Sequence, residues 1–298
     1  MKSRLFRTAL PVDLPSTLGP LRHGRGDPTI KISPGEVVRA THTPEGPGTQ
    51  RVVADSGSIL VQAWGPGAEW LLERGPSLVG SEDNIDGFRP RHPVLRDLNR
   101  RFRGLRIGRS AAVVETLVPT ILEQKVTGIE ARRSWRKIIG AYGEDAPGPF
   151  ELRLPPHSSV LASIPYFELH PLGVERKRAS IVKAVCTSAG RLEETDTLDL
   201  PTAYRRLRAI PGLGPWTAAH AGMIALGDPD AVVVGDFHLP NLVAWNLAGE
   251  PRADDRRMLE LLEPYRGHRA RVIRLLEGGG GHAPSYAPRH RLRTIEHS

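Results

Sequence analysis

The first 90 residues contain short runs in which β-branched and apolar residues alternate with polar ones, separated by stretches rich in proline and glycine. This pattern is typical of strands joined by turns. The runs that predict strands are residues 29–32, 36–41, 50–54 and 58–64. The Asp-Ser-Gly sequence at residues 55–57 predicts a hairpin turn, and residues 68–74, closed by Gly75, predict a short helix. Residues 1–90 therefore predict a β-rich module with a helix on one face, and residues 81–93 predict a linker.

From residue 94 onward the apolar residues recur with a helical period. The first stripe, at residues 114–122, contains Pro119, which should kink the helix or delay its start. Further helices are predicted over residues 179–189, 200–209, 216–226, 239–247 and 258–276. The fold class is therefore mainly α with an N-terminal α+β module, and the helical region covers residues 91–277. Residues 278–298 predict a basic flexible tail.

Composition narrows the classes of protein to be considered. The 298 residues, 39% of them apolar, suffice for two modest domains or one large one. No apolar run has the length of a membrane span and no signal-peptide pattern is present, so we expect a cytoplasmic protein without a membrane partner. The single cysteine, Cys186, excludes a disulfide framework, a four-cysteine zinc site and an iron–sulfur cluster held by cysteines. A net charge of +8 favours a polyanionic partner, most often nucleic acid.

The sequence Ile-Pro-Gly-Leu-Gly-Pro at residues 210–215 predicts a tight turn between two helices. Gly212 and Gly214 permit a positive φ and leave no side chain over the turn, and Pro215 suits the first position of the second helix. Backbone N–H groups at such a helix N-terminus form a cradle for a phosphate. Gly212, Leu213 and Gly214 are therefore candidate DNA contacts.

Carbonyl groups of the same turn face away from that cradle. The carbonyls of Arg208, Ile210 and Leu213 are candidate ligands of a structural Na⁺ or K⁺ ion that would lie against the bound phosphate. A plain corner between two helices, with no ligand, is the alternative interpretation of the turn.

Asp236 opens a further helix 20 residues after Trp216, which follows the turn directly. The turn and this aspartate together resemble the helix–hairpin–helix DNA glycosylase superfamily, and within it the bacterial inducible 3-methyladenine (alkylpurine) DNA glycosylases. Further matches are the sequences at residues 121–126, 176–179 and 262–270, and the resemblance covers residues 20–277. It implies an all-helical catalytic region of two lobes and a small antiparallel sheet domain like that of TATA-binding protein.

The resemblance implies a catalytic role for Asp236. Excision of a base cleaves an N-glycosidic bond through an oxocarbenium-like sugar, which a nearby carboxylate stabilises. Aspartate is also a preferred helix N-cap, and the two roles are compatible. Bifunctional members carry a lysine soon after the hairpin as a nucleophile, whereas the last lysine here is Lys183. The resemblance thus implies a monofunctional hydrolase that requires no cofactor and holds no iron–sulfur cluster.

The resemblance also places Trp216, His220 and Arg274 around the pocket that receives the flipped base. Stacking on an indole would select cationic bases such as 3-methyladenine. The family has a tyrosine at the position of His220 and often a tryptophan at that of Arg274, so the identity of the damaged base stays open.

Three more residues are candidate DNA contacts by the same resemblance: Gln124, Lys125 and Thr217. Lys125 stands where the family tends to have an apolar wedge that fills the gap left by the flipped base. A solvated lysine at a helix end is the alternative.

Three functional classes remain. We expect a monomeric glycosylase of base excision repair that acts on damaged bases, in particular alkylated ones, in double-stranded DNA. The alternative is a non-catalytic helix–hairpin–helix DNA-binding protein, which would need the hairpin but not Asp236 or an aromatic cleft. An oxidised-base glycosylase with lyase activity is disfavoured by the absent lysine.

Overall fold

A five-stranded antiparallel sheet forms the N-terminal part of the computed structural model, which describes residues 1–55 and 57–284. Its strands, in the spatial order β1-β5-β4-β3-β2, are β1 (Lys2–Arg7), β2 (Ile30–Ser33), β3 (Glu36–Thr43), β4 (Gly46–Asp55) and β5 (Ser58–Trp64). Helices α1 (Leu14–Leu18) and α2 (Ala68–Leu78) bury their apolar side chains in the core of this sheet. The predicted module of antiparallel sheet and helix is confirmed.

Two details of this module differ from the sequence prediction. Strand β1 was not predicted, because it is an edge strand that pairs with β5 alone and only Phe6 reaches the core. Helix α2 continues through Gly75, which was predicted to end it. A Cβ at Gly75 would lie 3.0 Å from a methyl group of Val61, so glycine is required there for close packing on the sheet rather than as a helix stop.

The remainder of the described chain is almost entirely helical. The helices are α3 (Pro93–Arg101), α4 (Val113–Leu122), α5 (Gly128–Tyr142), α6 (Ser158–Ser163), α7 (Tyr166–Leu169), α8 (Arg176–Thr187), α9 (Ala189–Glu193), α10 (Leu200–Arg208), α11 (Pro215–Ile224), α12 (Leu239–Ala248), α13 (Asp255–Leu262) and α14 (Arg269–Gly279). After α5, two short strands of two residues each, β6 (Glu144–Asp145) and β7 (Arg153–Leu154), pair in antiparallel fashion. The mainly α fold class is confirmed.

Two hydrophobic cores divide these helices into two lobes. Helices α4, α5, α8 and α10 share one core, and α3, α12, α13 and α14 share the other. Helix α11 contributes to both, because Ala218 and Ala221 face the first core while Trp216 and Ala219 face the second. The first turn of α11, which follows the hairpin, therefore lies where the two lobes meet.

Polar contacts fix the N-terminal module to the helical region. The carboxylate of Glu115, on α4, accepts the hydroxyl of Thr41 and the backbone N–H of His42, both at 2.6 Å. In the predicted linker, Asp83 accepts the backbone N–H of Ile107 and forms a buried ion pair with Arg271 of α14. The segment between the module and the lobes is thus held against the C-terminal lobe.

The last helix ends two residues later than the predicted boundary at residue 277. Helix α14 continues to Gly279, and the backbone N–H of Gly281 donates to the side chain of Asn246. Most of the predicted tail, residues 285–298, lies outside the described residues. Within the described part of the chain, no helix has the length and apolar character needed to cross a membrane.

Candidate active site

The turn between α10 and α11 has the geometry that the glycine spacing predicts. Gly212 adopts a φ of 93°, and the N–H of Leu213 donates to the carbonyl of Ile210 at 3.1 Å, which closes the turn. The Leu213 side chain is buried in the first lobe. A Cβ at Gly212 would lie 2.5 Å from the Ile181 side chain, whereas one at Gly214 would meet nothing within 4 Å.

The outer side of this turn can accept an anion. Gly212 and Gly214 are exposed, and their backbone N–H groups have no acceptor among the described residues. They precede the N-terminus of α11, a helix of 10 residues whose dipole favours a negative charge at that end. The turn therefore offers donors and a favourable potential for a phosphate.

The carbonyls predicted to bind a cation belong to the same turn. That of Ile210 already accepts the N–H of Leu213, and a carbonyl oxygen can take a second partner. Neutral carbonyl oxygens suit a hard monovalent ion, so the residues present are compatible with Na⁺ or K⁺. The site formed by Arg208, Ile210 and Leu213 stays a prediction.

Gln124 ties the turn after α4 to the hairpin. Its side-chain amide donates to the hydroxyl of Thr217 at 2.9 Å and to the carbonyl of Gly212 at 3.2 Å. The next residue, Lys125, is exposed and has a φ of 57°, an uncommon conformation for a residue with a side chain. The structure thus brings Gln124, Thr217 and the hairpin together and presents Lys125 at the tip of the adjacent turn.

Asp236 lies directly across from the first turn of α11. One carboxylate oxygen accepts the backbone N–H groups of His238 and Leu239, each at 2.8 Å, at the start of α12. The other accepts the indole N–H of Trp216 at 3.2 Å. Asp236 lies two residues before His238, the N-cap of α12. It therefore binds the backbone at the start of α12 with one oxygen and turns the other toward the aromatic residue that follows the hairpin.

His220 lies one helical turn after Trp216, and the two ring centroids are 4.5 Å apart. Burial lowers the pKa of His220 to about 4; the charge of Asp236 opposes this shift, and His23 adds to it. The Nε2 atom of His220 is buried and has no hydrogen-bond partner among the described residues. At neutral pH the ring is therefore uncharged, and its buried Nε2 atom is left without a partner among the described residues.

Arg274, the third residue predicted for the base pocket, points toward the N-terminal module. Its guanidinium donates to Glu277 at 2.7 Å and to the carbonyl of Ser16 at 3.2 Å. It also lines a small cavity together with Met223 and Ile224, the last two residues of α11. The structure thus brings Trp216 and His220 together with Asp236, whereas Arg274, on α14, lies beside the C-terminal end of α11.

Four neighbouring residues were not predicted from the sequence. His23, in a loop of the N-terminal module, packs edge-on against Trp135, with the ring centroids 5.8 Å apart. Glu123 and Arg132 lie close enough to interact electrostatically, and Asp236 also acts on Glu123. Phe237, directly after Asp236, is 73% exposed. For Phe237, its position next to Asp236 is a signal in the sequence that it belongs to the site. His23, Glu123 and Arg132 have no such signal, because they come from separate elements.

The chain is similar to known proteins in sequence and in fold. No protein-family model matches the chain. The chain is 31% identical over 157 residues to the "Probable bifunctional transcriptional activator/DNA repair enzyme AlkA" of Mycobacterium tuberculosis, which covers 49% of this chain and 30% of that protein. It is 28% identical over 177 residues to DNA-3-methyladenine glycosylase 2 of Escherichia coli, covering 59% of this chain and 61% of that protein. The chain thus spans less than two thirds of the length of either relative.

A solved structure extends the similarity to nearly the whole chain. The 3-methyladenine DNA glycosylase of Archaeoglobus fulgidus superposes with a TM-score of 0.77, covering 92% of this chain and 97% of that one at 20% identity. At this identity the comparison establishes a common fold, including the N-terminal sheet and the two helical lobes. The chain is thus similar in sequence to two DNA repair enzymes and shares the fold of a 3-methyladenine DNA glycosylase.

Proposed function

We propose that the chain is a monofunctional DNA glycosylase that flips damaged, alkylated bases out of duplex DNA and excises them by hydrolysis. The observation that carries this proposal is the hydrogen bond between Trp216 and Asp236. It joins an aromatic ring and a carboxylate at the junction of the lobes, immediately after a hairpin that can bind a phosphate. A protein that only binds DNA would need the hairpin, but it would have no use for a carboxylate held beside an indole.

The protein's charge and the hairpin support docking on DNA. A net charge of +8 attracts the phosphate backbone, and the N–H groups of Gly212 and Gly214 provide a contact that does not depend on base sequence. Gln124 and Thr217 hold the neighbouring turn at a fixed distance from that contact. Lys125 would then lie beside the DNA position from which the base is extruded.

Asp236 supplies the charge that excision requires. When the bond between C1′ and the base nitrogen breaks, positive charge develops on the sugar, and a carboxylate beside it lowers the barrier. A water molecule then adds to C1′ and loses a proton, so that the products are the free base and an abasic site. The two N–H groups that bind one oxygen of Asp236 fix the carboxylate in place before the reaction.

The protonation state of the pocket favours bases that already carry a positive charge. His220 is uncharged at neutral pH because burial lowers its pKa to about 4, so it cannot protonate a leaving base. Purines alkylated on N3 or N7 are cationic in DNA and leave as neutral molecules without a proton from the enzyme. This match supports alkylated purines as the substrate class.

The proposal is tested by incubating the protein with matched duplexes that contain different lesions and then cleaving abasic sites with alkali. We expect strand cleavage at alkylated purines only after alkali is added, because no lysine follows Lys183 to act as a lyase nucleophile. Borohydride should trap no covalent adduct between the protein and DNA. Binding without abasic sites at any lesion would instead identify a non-catalytic DNA-binding protein.

A further inference from the structure

Glu123 carries a carboxylate beside the candidate active site that forms no ion pair with any residue that the structure describes. It follows the last residue of α4, and its backbone N–H donates to the carbonyls of Pro119 and Thr120. The side chain is half-buried and has no hydrogen bond or ion pair among the described residues. Other carboxylates shielded from solvent, such as Asp83, Glu193 and Asp196, each bind at least one N–H group.

The position of Glu123 is set by its neighbours on both sides. Helix α4 holds the residue before it in the core of the first lobe, and Gln124 after it is bonded to Thr217. Thr217 adjoins Trp216, which in turn donates to Asp236. Glu123 is therefore anchored beside the first turn of α11, and its charge interacts with that of Asp236.

Burial raises the pKa of the Glu123 carboxyl. The charge of Arg132, on α5, opposes this shift, and that of Asp236, in the loop before α12, adds to it. His220 on α11 is uncharged at neutral pH. When Glu123 is ionised, two carboxylates and one guanidinium leave this part of the site negative, in a protein whose overall charge is +8. A negative site attracts a cation, whereas the rest of the surface attracts phosphates.

We infer that Glu123 is a specificity-determining residue that binds the positively charged ring of an N-alkylated purine through its carboxylate. This inference rests on the proposed function and narrows its substrate class. An unpaired carboxylate loses much of its hydration in a half-buried cleft, and a flipped cationic base with N–H donors restores a partner. A neutral base offers hydrogen bonds but no charge, so Glu123 discriminates between the two.

The test compares single-turnover excision of 7-methylguanine, which is cationic in DNA, with that of hypoxanthine, which is neutral, in otherwise identical duplexes. Glu123→Gln keeps the shape of the side chain and removes its charge. We expect excision of 7-methylguanine to fall about tenfold further than excision of hypoxanthine, the size of a charge-assisted hydrogen bond. Glu151→Gln is the matched control, because it removes the same charge from an exposed position in the loop between β6 and β7.

Two results would overturn the inference. An equal fall for both lesions would mean that Glu123 acts on folding or on Asp236, and a larger fall for hypoxanthine would mean that it protonates the leaving base. Should the parent excise neither lesion, the proposed function fails and a binding measurement decides about Glu123. The parent should then bind a duplex with 2′-fluoro-7-methyldeoxyguanosine more tightly than one with guanine, and Glu123→Gln should lose that preference. No preference in the parent refutes the inference.

Discussion

Lys125 holds a left-handed backbone conformation, with a φ of 57°, at an exposed turn beside the candidate active site. The hydrogen bonds of Gln124 to Thr217 and Gly212 hold the preceding residue, so the turn cannot relax freely. The Lys125 side chain is thus presented at a fixed point rather than on a mobile loop. Its aliphatic stem can occupy the gap left by a flipped base while the ammonium reaches a phosphate.

If Lys125 fills that gap, Lys125→Ala should slow excision from a well-paired lesion more than from the same lesion in a mismatch, which is easier to extrude. Lys125→Leu should restore much of the lost rate. The measurement is single-turnover excision in the two contexts, with Lys183→Ala as a control that removes a lysine from an exposed position on α8. A uniform loss in both contexts would identify a phosphate contact, and no loss would identify a bystander.

Glu193 provides a prediction about stability and pH. Its carboxylate accepts the backbone N–H groups of Val113 and Val114, each at 2.9 Å, at the start of α4. Burial nevertheless raises the pKa of Glu193 to about 7 from its ordinary value of 4.5. Because the folded protein holds this proton more tightly than the unfolded chain does, the contribution of Glu193 to stability is largest below pH 4.5 and declines as pH rises to about 7.

Glu193→Gln removes this titration. The difference in Tm between variant and parent should therefore shift in favour of the variant as pH rises from 5 to 8, which thermal unfolding at several pH values would measure. A difference that does not vary across this range would show that Glu193 keeps an ordinary pKa in the folded protein.

At the scale of elements, the hairpin makes different demands on its two glycines. Gly212 needs a positive φ and packs on Ile181, so a side chain there would disturb folding. Gly214 has an ordinary φ of −76° and open space around it. A substitution at Gly214 therefore tests the phosphate cradle without disturbing the turn.

Gly214→Glu should weaken binding to damaged and undamaged duplexes by the same factor, because it places a negative charge where a phosphate approaches and leaves base recognition intact. The control is Gly140→Glu, which adds the same charge at an exposed position in α5 with no neighbour within 4 Å. Fluorescence anisotropy with both duplexes measures the effect. Normal DNA binding by a folded Gly214→Glu protein would show that the hairpin is a plain corner between two helices and binds no phosphate.

The elements that could be predicted from sequence are those whose pattern is local. The period of apolar residues indicated α4, α8, α10, α11 and α12, and the glycine spacing indicated the hairpin between α10 and α11. Helix α5 was missed although Thr127 and Glu130 form a capping box, since its apolar residues are widely spaced. Strand β1 gave no signal because it lies at the sheet edge and exposes most of its residues.

The candidate site was predictable only in part, because its residues come from distant segments. The family resemblance indicated Asp236, Trp216 and His220. Glu123 lies in the turn after α4, Arg132 lies on α5, and His23 lies in a loop of the N-terminal module. Only the packing of these three segments brings the residues near one another. No local pattern encodes that packing, nor the burial that keeps His220 uncharged.

At the scale of the whole molecule, α11 belongs to the cores of both helical lobes, and its C-terminal end lines a small cavity with residues of the N-terminal module. The N-terminal module extends the loop containing His23 and Gly24 over α5, where a Cβ at Gly24 would lie 2.8 Å from the side chain of Arg132. The second lobe brings Asp236 to Trp216, and the first supplies Glu123 and Gln124. The candidate site thus depends on all three parts.

Asp236→Asn tests most directly whether Asp236 stabilises the sugar cation during excision. Asparagine retains an oxygen that can accept the N–H groups of His238 and Leu239, so the start of α12 and the Tm should be preserved. Single-turnover excision of an alkylated purine should fall about 100- to 1,000-fold, the usual effect of removing an electrostatic contact to the transition state. Equilibrium binding of the same duplex should be equal or tighter, since one negative charge is gone. Excision by Asp236→Asn at the rate of the parent would contradict the account.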